Sequence, residues 1–286
     1  MLSNKVSEIM TTNLTPAPVA ASIFEVVELM VAQDVGRVII TDADVPVGIF
    51  TEKDVLKRVV SADLEPRNTK IQKVMTSPVR AVVEETHIVD AFARMYRGKY
   101  RHLLVRGRHG KIIGILSMRR ILNLAVELGQ GASETRIVAD IAAATPVLVD
   151  ESTTVRATVD LMNRRGVTAI IATQDGSPSG IFTERDLLKR VVAQEVDVKV
   201  TPIKQVMTSP IIKMPRSALI GDVLAEMYRR DIRNMPVSGT GGELVGLLSM
   251  PEILQYATAF NIDEQVRRTW KEVAEFMESE DQYTPG

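Results

Sequence analysis

The feature that most constrains this chain is an internal repeat. Gly48, Gly114, Gly180 and Gly246 stand 66 residues apart, and each is followed three residues later by a hydroxyl: Thr51, Ser117, Thr183 and Ser249. Repeats are sought first because overlooking them misassigns the whole fold. A second level lies above this one. Residues 48–60 match residues 180–192 at 11 of 13 positions, and the VMTSP run at 74–78 returns unchanged at 206–210, both 132 residues on. The chain is therefore a copied pair, and each copy is itself double. The 286 residues divide into repeats at 5–62, 68–128, 136–195 and 200–258, followed by a tail at 259–286.

The pattern inside a repeat predicts β-α-β-β-α. Ser22 with Glu25 three residues later forms a capping box. Ile23, Val26, Val27 and Met30 then fall at helical spacing. The same face recurs as Ile88, Ala91, Phe92, Met95; as Val155, Val159, Met162; and as Ile220, Val223, Leu224, Met227. Methionines alternating with aliphatics on one face belong to a core rather than to a soft-metal site. Two β-rich runs follow, at 38–41 and 47–50 in the first repeat, joined by an Asp-containing turn. A short strand at 16–19 precedes them, and a second helix begins at the hydroxyl.

Units of about 60 residues are marginal alone, so the repeats must pair. The 132-residue copy points to repeats one with two and three with four, each pair with a pseudo-twofold axis. Residues 133–139 read as the linker between pairs. In the tail, a helix is expected over 262–278, with Val266, Trp270, Val273 and Phe276 on one side, and the last six residues frayed. The fold class is α/β, built of α+β repeats.

Composition narrows the chemistry. Lys+Arg 35 against Asp+Glu 36 leaves a net charge of -1, which is no global basic excess. The absence of cysteine removes disulfides, cysteine nucleophiles and thiolate metal sites, and fits a reducing, cytoplasmic setting. His87, His102 and His109 are too scattered for a metal cluster. The N-terminus lacks the apolar run of a signal peptide. No stretch approaches the roughly 20 apolar residues of a membrane span. No Walker loop, zinc-type His motif or GxGxxG fingerprint appears. The expectation is a binding protein without catalytic residues, metal or required cofactor.

Three motifs now carry a resemblance: Met75-Thr76-Ser77-Pro78 with Met207-Thr208-Ser209-Pro210, the Gly-apolar-apolar-Thr/Ser-x-x-Asp stretch, and the β-α-β-β-α repeat itself. Together they resemble cystathionine-β-synthase (CBS) domains over residues 5–257, four in tandem, as in two Bateman modules. The third repeat departs at its start, where Ala142-Ala143-Ala144-Thr145-Pro146 replaces the Met-Thr signature. The resemblance implies regulatory or sensor proteins that bind AMP, ADP, ATP or S-adenosylmethionine between paired domains and pass the change to a partner protein. It also implies a flat disk, closed within one chain or formed by a homodimer.

Thr51 with Asp54, and Thr183 with Asp186, are read first as helix caps, since the hydroxyl caps and the carboxylate favours the dipole. The resemblance adds acceptance of the two ribose hydroxyls by each aspartate. Repeats two and four carry Arg120 and Glu252 in that place, so two nucleoside sites are expected and not four. For phosphate, the resemblance points to basic residues before the middle strand: Arg101 with His102, and Arg233 with Asn234. Arg119 and Arg120 join them, because cations at a helix start oppose the dipole unless an anion is near. Arginine's planar fork suits phosphate oxygens. Arg37 and Thr168 are taken as the equivalents in repeats one and three. Residues 71–126 carry 11 Lys/Arg and three Asp/Glu, against five and eight in residues 5–60. The resemblance also implies an apolar slot for the base, lined by strand backbone at Thr12, Leu14, Pro16, Val38 and Ile39, and at Thr145, Pro146, Ala169 and Ile170. Two other readings stay open. One is a nucleic-acid-binding module using the basic second repeat, weakened by only 4% aromatics for stacking. The other is a structural scaffold without ligand.

Overall fold

The computed structural model of the protein describes residues 4–98, 100–121, 137–141 and 143–249. The tail helix at 262–278, the frayed end, Glu252 and the linker positions 133–136 lie outside the described residues.

Each repeat builds a three-stranded sheet in sequence order, its first two strands parallel and its last two antiparallel. Repeat one has β1 (Pro16–Pro18), α1 (Ile23–Ala32), β2 (Arg37–Asp42) and β3 (Val45–Thr51). A helical turn, Glu52–Asp54, follows and widens into a π-helix over Val55–Val60. Repeat two has β4 (Ala81–Val83), α2 (Ile88–Arg97), β5 (His102–Arg106) and β6 (Ile112–Ser117). Repeat three has β7 (Leu148–Asp150), α3 (Val155–Arg165), β8 (Ala169–Gln174) and β9 (Ser177–Thr183), then the turn Glu184–Asp186 and a π-helix over Leu187–Val192. Repeat four has β10 (Met214–Pro215), α4 (Ile220–Arg229), β11 (Asn234–Ser238) and β12 (Leu244–Ser249).

Local chemistry fixes these elements. Glu25 Oε2 accepts from Ser22 N–H at 2.7 Å while Ser22 Oγ accepts from Glu25 N–H at 3.2 Å, closing the capping box that starts α1. The turn between β2 and β3 places Ala43 and Asp44 at φ 44° and 64°. Its counterpart in repeat three uses Asp175 and Gly176 at φ 51° and 78°. Left-handed values at both central residues match the twist of a tight hairpin. The four methionines of the helical faces, Met30, Met95, Met162 and Met227, are fully buried.

Repeats one and two exchange entry segments, as the expected pairing requires: Thr11 of repeat one bridges Ile115 of repeat two, and Thr76 of repeat two bridges Ile49 of repeat one, with the same exchange between repeats three and four. The helix faces, however, pack across the copies. The chain forms two compact units, and each joins alternate repeats. One holds residues 14–79 and 146–211, thus the bodies of repeats one and three with the entry segments of repeats two and four. The other holds residues 1–13, 80–145 and 212–286, thus the bodies of repeats two and four with the entry segments of repeats one and three. Each has its own apolar core. In the first, α1 packs on the π-helix of repeat three and α3 on that of repeat one. Val26, Val27 and Met30 of α1 share one apolar core with Leu187, Leu188, Val191 and Val192 of the other repeat. Ion pairs cross the same boundary: Arg185 Nε to Glu52 Oε1 at 3.6 Å, Arg156 to Asp63 at 3.2 Å, and Lys199 to Asp63 at 3.0 Å. The linker reading also needs correction for its last residues. Val138 starts a 3-10 turn and is buried in the core of repeats two and four. An apolar side chain committed to that core makes residues 137–141 part of the unit.

Candidate functional site

The four glycines of the repeat mark where a neighbouring segment crosses each third strand. Ile49 and Thr76 exchange backbone hydrogen bonds at 3.0 and 2.8 Å, and Ile181 and Thr208 do so at 2.9 Å each. Thr11 and Ile115 form the same bridge, and Leu247 N–H donates to the Ala144 carbonyl. The residue before the crossing lies flat on the glycine. A Cβ on Gly114 or Gly180 would stand 2.5 Å from the Sδ of Met10 or Met207, and one on Gly48 would strike Met75. At Gly246 the same place is filled by Ala143, 2.7 Å from an added Cβ. The departure of the third repeat at Ala142–Ala144 is thus a smaller residue in the same slot. Met10-Thr11 is a third copy of the Met-Thr element, which the missing Pro conceals in the sequence.

That crossing brings a second hydroxyl to each predicted aspartate. Asp54 Oδ2 accepts from Thr51 N–H at 2.9 Å and Thr51 O–H at 2.7 Å, while Thr76 Oγ1 reaches Oδ1 at 3.5 Å. Asp186 repeats this with Thr183 N–H at 3.0 Å, Thr183 O–H at 2.6 Å and Thr208 O–H at 2.9 Å. An arginine one turn on faces each carboxylate, Arg58 at 3.5 Å and Arg190 at 3.6 Å. Arg58 also donates to the carbonyls of Val74 and Met75, and Arg190 to those of Val206 and Met207. The aspartates are only 8% and 7% exposed. Burial pushes the Asp186 carboxyl above its ordinary value, against the lowering pull of the Thr183 and Thr208 hydrogen bonds and of Arg190. The cap reading of Thr51/Asp54 and Thr183/Asp186 is therefore realised. Thr76, Thr208, Arg58 and Arg190 are additions that sequence reasoning missed. Their signal was present in the two exact matches, Met-Thr-Ser-Pro and Lys-Arg-Val-Val.

The remaining predicted residues fall as follows. Ser117 Oγ accepts from Arg120 N–H at 3.1 Å, so the cap persists in repeat two without a carboxylate. Arg119 is ion-paired with Asp231, which brings repeats two and four together and already supplies the anion that its place at a helix start demands. His102 stands opposite Ser117 and Asn234 opposite Ser249 in their ladders; Arg101 N-terminal to the strand holds Met118 N–H through its carbonyl, and Arg233 takes the matching place. The proposed equivalence of Arg37 and Thr168 is one residue out of register. Arg37 pairs with Thr51, and its match opposite Thr183 is Ala169, because the copies are 132 residues apart and both hairpins turn through two residues.

Of the expected base slot, Val38 and Ile170 have their side chains in the core, while Ile39 and Ala169 are buried outside it. Pro16 pairs with Ile39, and the Thr15 carbonyl accepts from Ile39 N–H at 2.9 Å. Thr12 and Thr145 are exposed, and Leu14 and Pro146 half-buried, at two of the four places where the chain passes from one compact unit to the other. Among the described residues, no group of three or more His, Asp or Glu is gathered as metal ligands, and no helix is long and apolar enough to cross a membrane.

Comparison with known proteins agrees with this architecture. The CBS domain family matches at residues 6–61, 71–127, 138–193 and 203–259. The CBS domain-containing protein CBSCBSPB1 of Arabidopsis thaliana is 26% identical over 284 residues, covering 85% of this chain and 51% of that protein. The meiotically up-regulated gene 70 protein of Schizosaccharomyces pombe is also 26% identical, over 79% of this chain and 40% of its own length. The chain thus spans about half the length, or less, of these curated relatives. The crystal structure of protein MJ1225 from Methanocaldococcus jannaschii superposes with a TM-score of 0.74 at 15% identity, covering 88% of this chain and 99% of that one. Four family matches occupying most of the sequence, on four sheets of the same topology, make this chain a member of the CBS domain family.

Proposed function

We propose that the protein is a regulatory binding protein for adenosine-containing ligands, with ribose accepted at Asp54 and Asp186. The observation that carries this reading is the twice-built, buried carboxylate, framed by the threonines 51 and 76 or 183 and 208. A short carboxylate fixed by its own backbone cap presents its oxygens without further ordering cost, and preorganisation of this kind favours binding. Proteins of this family are generally regulatory rather than catalytic. The ligand class is AMP, ADP, ATP or S-adenosylmethionine. Strand backbone at Thr15–Pro16 and around Ile39, with the copies at Val147–Leu148 and around Ile171 next to the expected 145–146 and 169–170, supports the base, because the side chains of Val38 and Ile170 are committed to the core. Arg101, His102, Arg119, Arg120, Arg233 and Asn234 are the phosphate candidates. Ligand occupancy shifts the protein between two states only by its differential affinity for them, and a partner protein reads that shift.

The test is a thermal-shift and calorimetric panel of AMP, ADP, ATP, S-adenosylmethionine and NAD on the wild type, Asp54→Ala and Asp186→Ala. A ligand at 100 times its Kd stabilises by about 2.7 kcal/mol. The stoichiometry should fall by one site in each variant. A wild-type protein stabilised by none of these ligands defeats the reading.

A further inference from the structure

A carboxylate has about four acceptor positions. At Asp186, three hydrogen bonds reach it: Thr183 N–H and O–H on Oδ2, and Thr208 O–H on Oδ1. The Arg190 guanidinium lies 3.6 Å from the same Oδ1. A vicinal diol brings two O–H donors. Two donors and about one remaining position do not match, so one resident donor must yield. The Thr183 pair cannot leave without undoing the cap that starts the following helix. Thr208 can, because it comes from a different repeat. It is held there by its backbone exchange with Ile181, by Arg190 on the carbonyls of Val206 and Met207, and by Ser209 Oγ donating to the Ser179 carbonyl at 2.9 Å. Repeat one shows the same arrangement, with Thr76 at 3.5 Å, the limit of a hydrogen bond, and Ser77 on the Val47 carbonyl.

We infer that Thr208 and Thr76 are displaceable hydroxyls that compete with a ribose diol for the carboxylates of Asp186 and Asp54. Displacement moves the Met-Thr-Ser-Pro segment, which leads within three residues to the point where the chain leaves the compact unit. Arg190 and Arg58 are positioning residues. Each binds the segment and faces the carboxylate, so the change at one is felt at the other. The inference rests on the ribose-acceptor reading above. It also grades the two sites: Thr208 makes the fuller bond and opposes ligand more than Thr76 does.

The experiment uses the full chain in an Asp54→Ala background, so that AMP reports on Asp186 alone. Thr208→Val removes the competing hydroxyl and Thr208→Ser keeps it. A hydrogen bond to a charged group is worth enough that valine should tighten AMP about tenfold, while serine stays at the wild-type affinity. AMP should also accelerate amide exchange at Thr208 and Ile181 in the serine variant and the parent. In an otherwise wild-type chain, Thr76→Val should tighten site one less than Thr208→Val tightens site three. Weakened or unchanged AMP binding in Thr208→Val overturns the inference, as does unaltered exchange at Thr208 on saturation. The two readings fail differently. No AMP binding by the wild type removes both, whereas binding that is lost with Asp186→Ala but not tightened by Thr208→Val removes only the displacement.

Discussion

The two compact units solve the same folding problem with different residues. Both stack a small residue or methionine on the repeat glycine, cap the following helix with a hydroxyl and bury the same helical faces. Only the unit of repeats one and three places an aspartate three residues past the hydroxyl in the described residues. Repeat two forms its cap with Ser117 and Arg120. The carboxylate is therefore not demanded by the fold. At Asp186 it is even held against burial. A buried charge that the sister unit does without needs a reason outside folding, and accepting hydroxyl donors is the one its geometry supplies.

The strongest way to break this comparison is to write the carboxylate into the other unit. Repeat two already has the cap hydroxyl at Ser117 and the crossing threonine at Thr11. Arg120→Asp should add one equivalent of adenosine ligand to the stoichiometry measured by calorimetry. An unchanged stoichiometry would show that the units differ by more than this position.

A second variant probes what they share. Gly180→Ala meets both Met207 Sδ and the Thr208 carbonyl, the latter 2.9 Å from the new Cβ, whereas at Gly48 the three nearest atoms all belong to Met75. Overpacking of this kind costs about 1–3 kcal/mol. Denaturant midpoints should fall for both variants. Met75→Ala should largely rescue Gly48→Ala, and Met207→Ala should rescue Gly180→Ala only in part, because the backbone remains in the way.

The smallest effect sharpens the cost of the charge. A carboxyl whose folded pKa is raised favours folding in its protonated form. Its contribution is fully present below the unfolded value, about 3.8, and is lost as pH rises through the folded value. Asp186→Asn removes that loss. Thermal midpoints should rise for the variant at pH 7, and the gap to the wild type should close as pH falls below 3.8. A gap that persists in acid would tie the effect to packing instead.

Much of this was legible in the sequence. The glycine-to-hydroxyl spacing placed every third strand and the caps at Thr51, Ser117 and Thr183, and the helical faces named the buried residues. Thr51, Asp54, Thr183 and Asp186 were found because cap and carboxylate sit three residues apart, within the reach of local reasoning. Thr76 and Arg58 were not, since their meeting depends on a segment 22 residues beyond Asp54 in the chain crossing back over the sheet. The pairing of alternate repeats was hidden for a related reason. Periodicity shows which helix face is apolar and says nothing of which apolar face covers it. The position of Arg37 slipped by one because strand starts were read from composition, while the ladder counts residues.

The segment crossing and the alternate pairing together separate the unit that was duplicated from the unit that folds. Residues 14–79 and 146–211 bury their helices against each other, yet they are the same portion of two successive copies. A polypeptide ending near residue 135 would hold one whole copy with the helix faces of both its repeats uncovered. The π-helix that covers α1 differs from that of α1's own repeat at one residue in six, so two such half-chains should associate, repeat one on repeat one. In that light the join of two copies in one chain leaves each free to differ. Ala143 in place of a methionine and Ala169 in place of Arg37 are differences that a symmetric pair of identical subunits could never have kept.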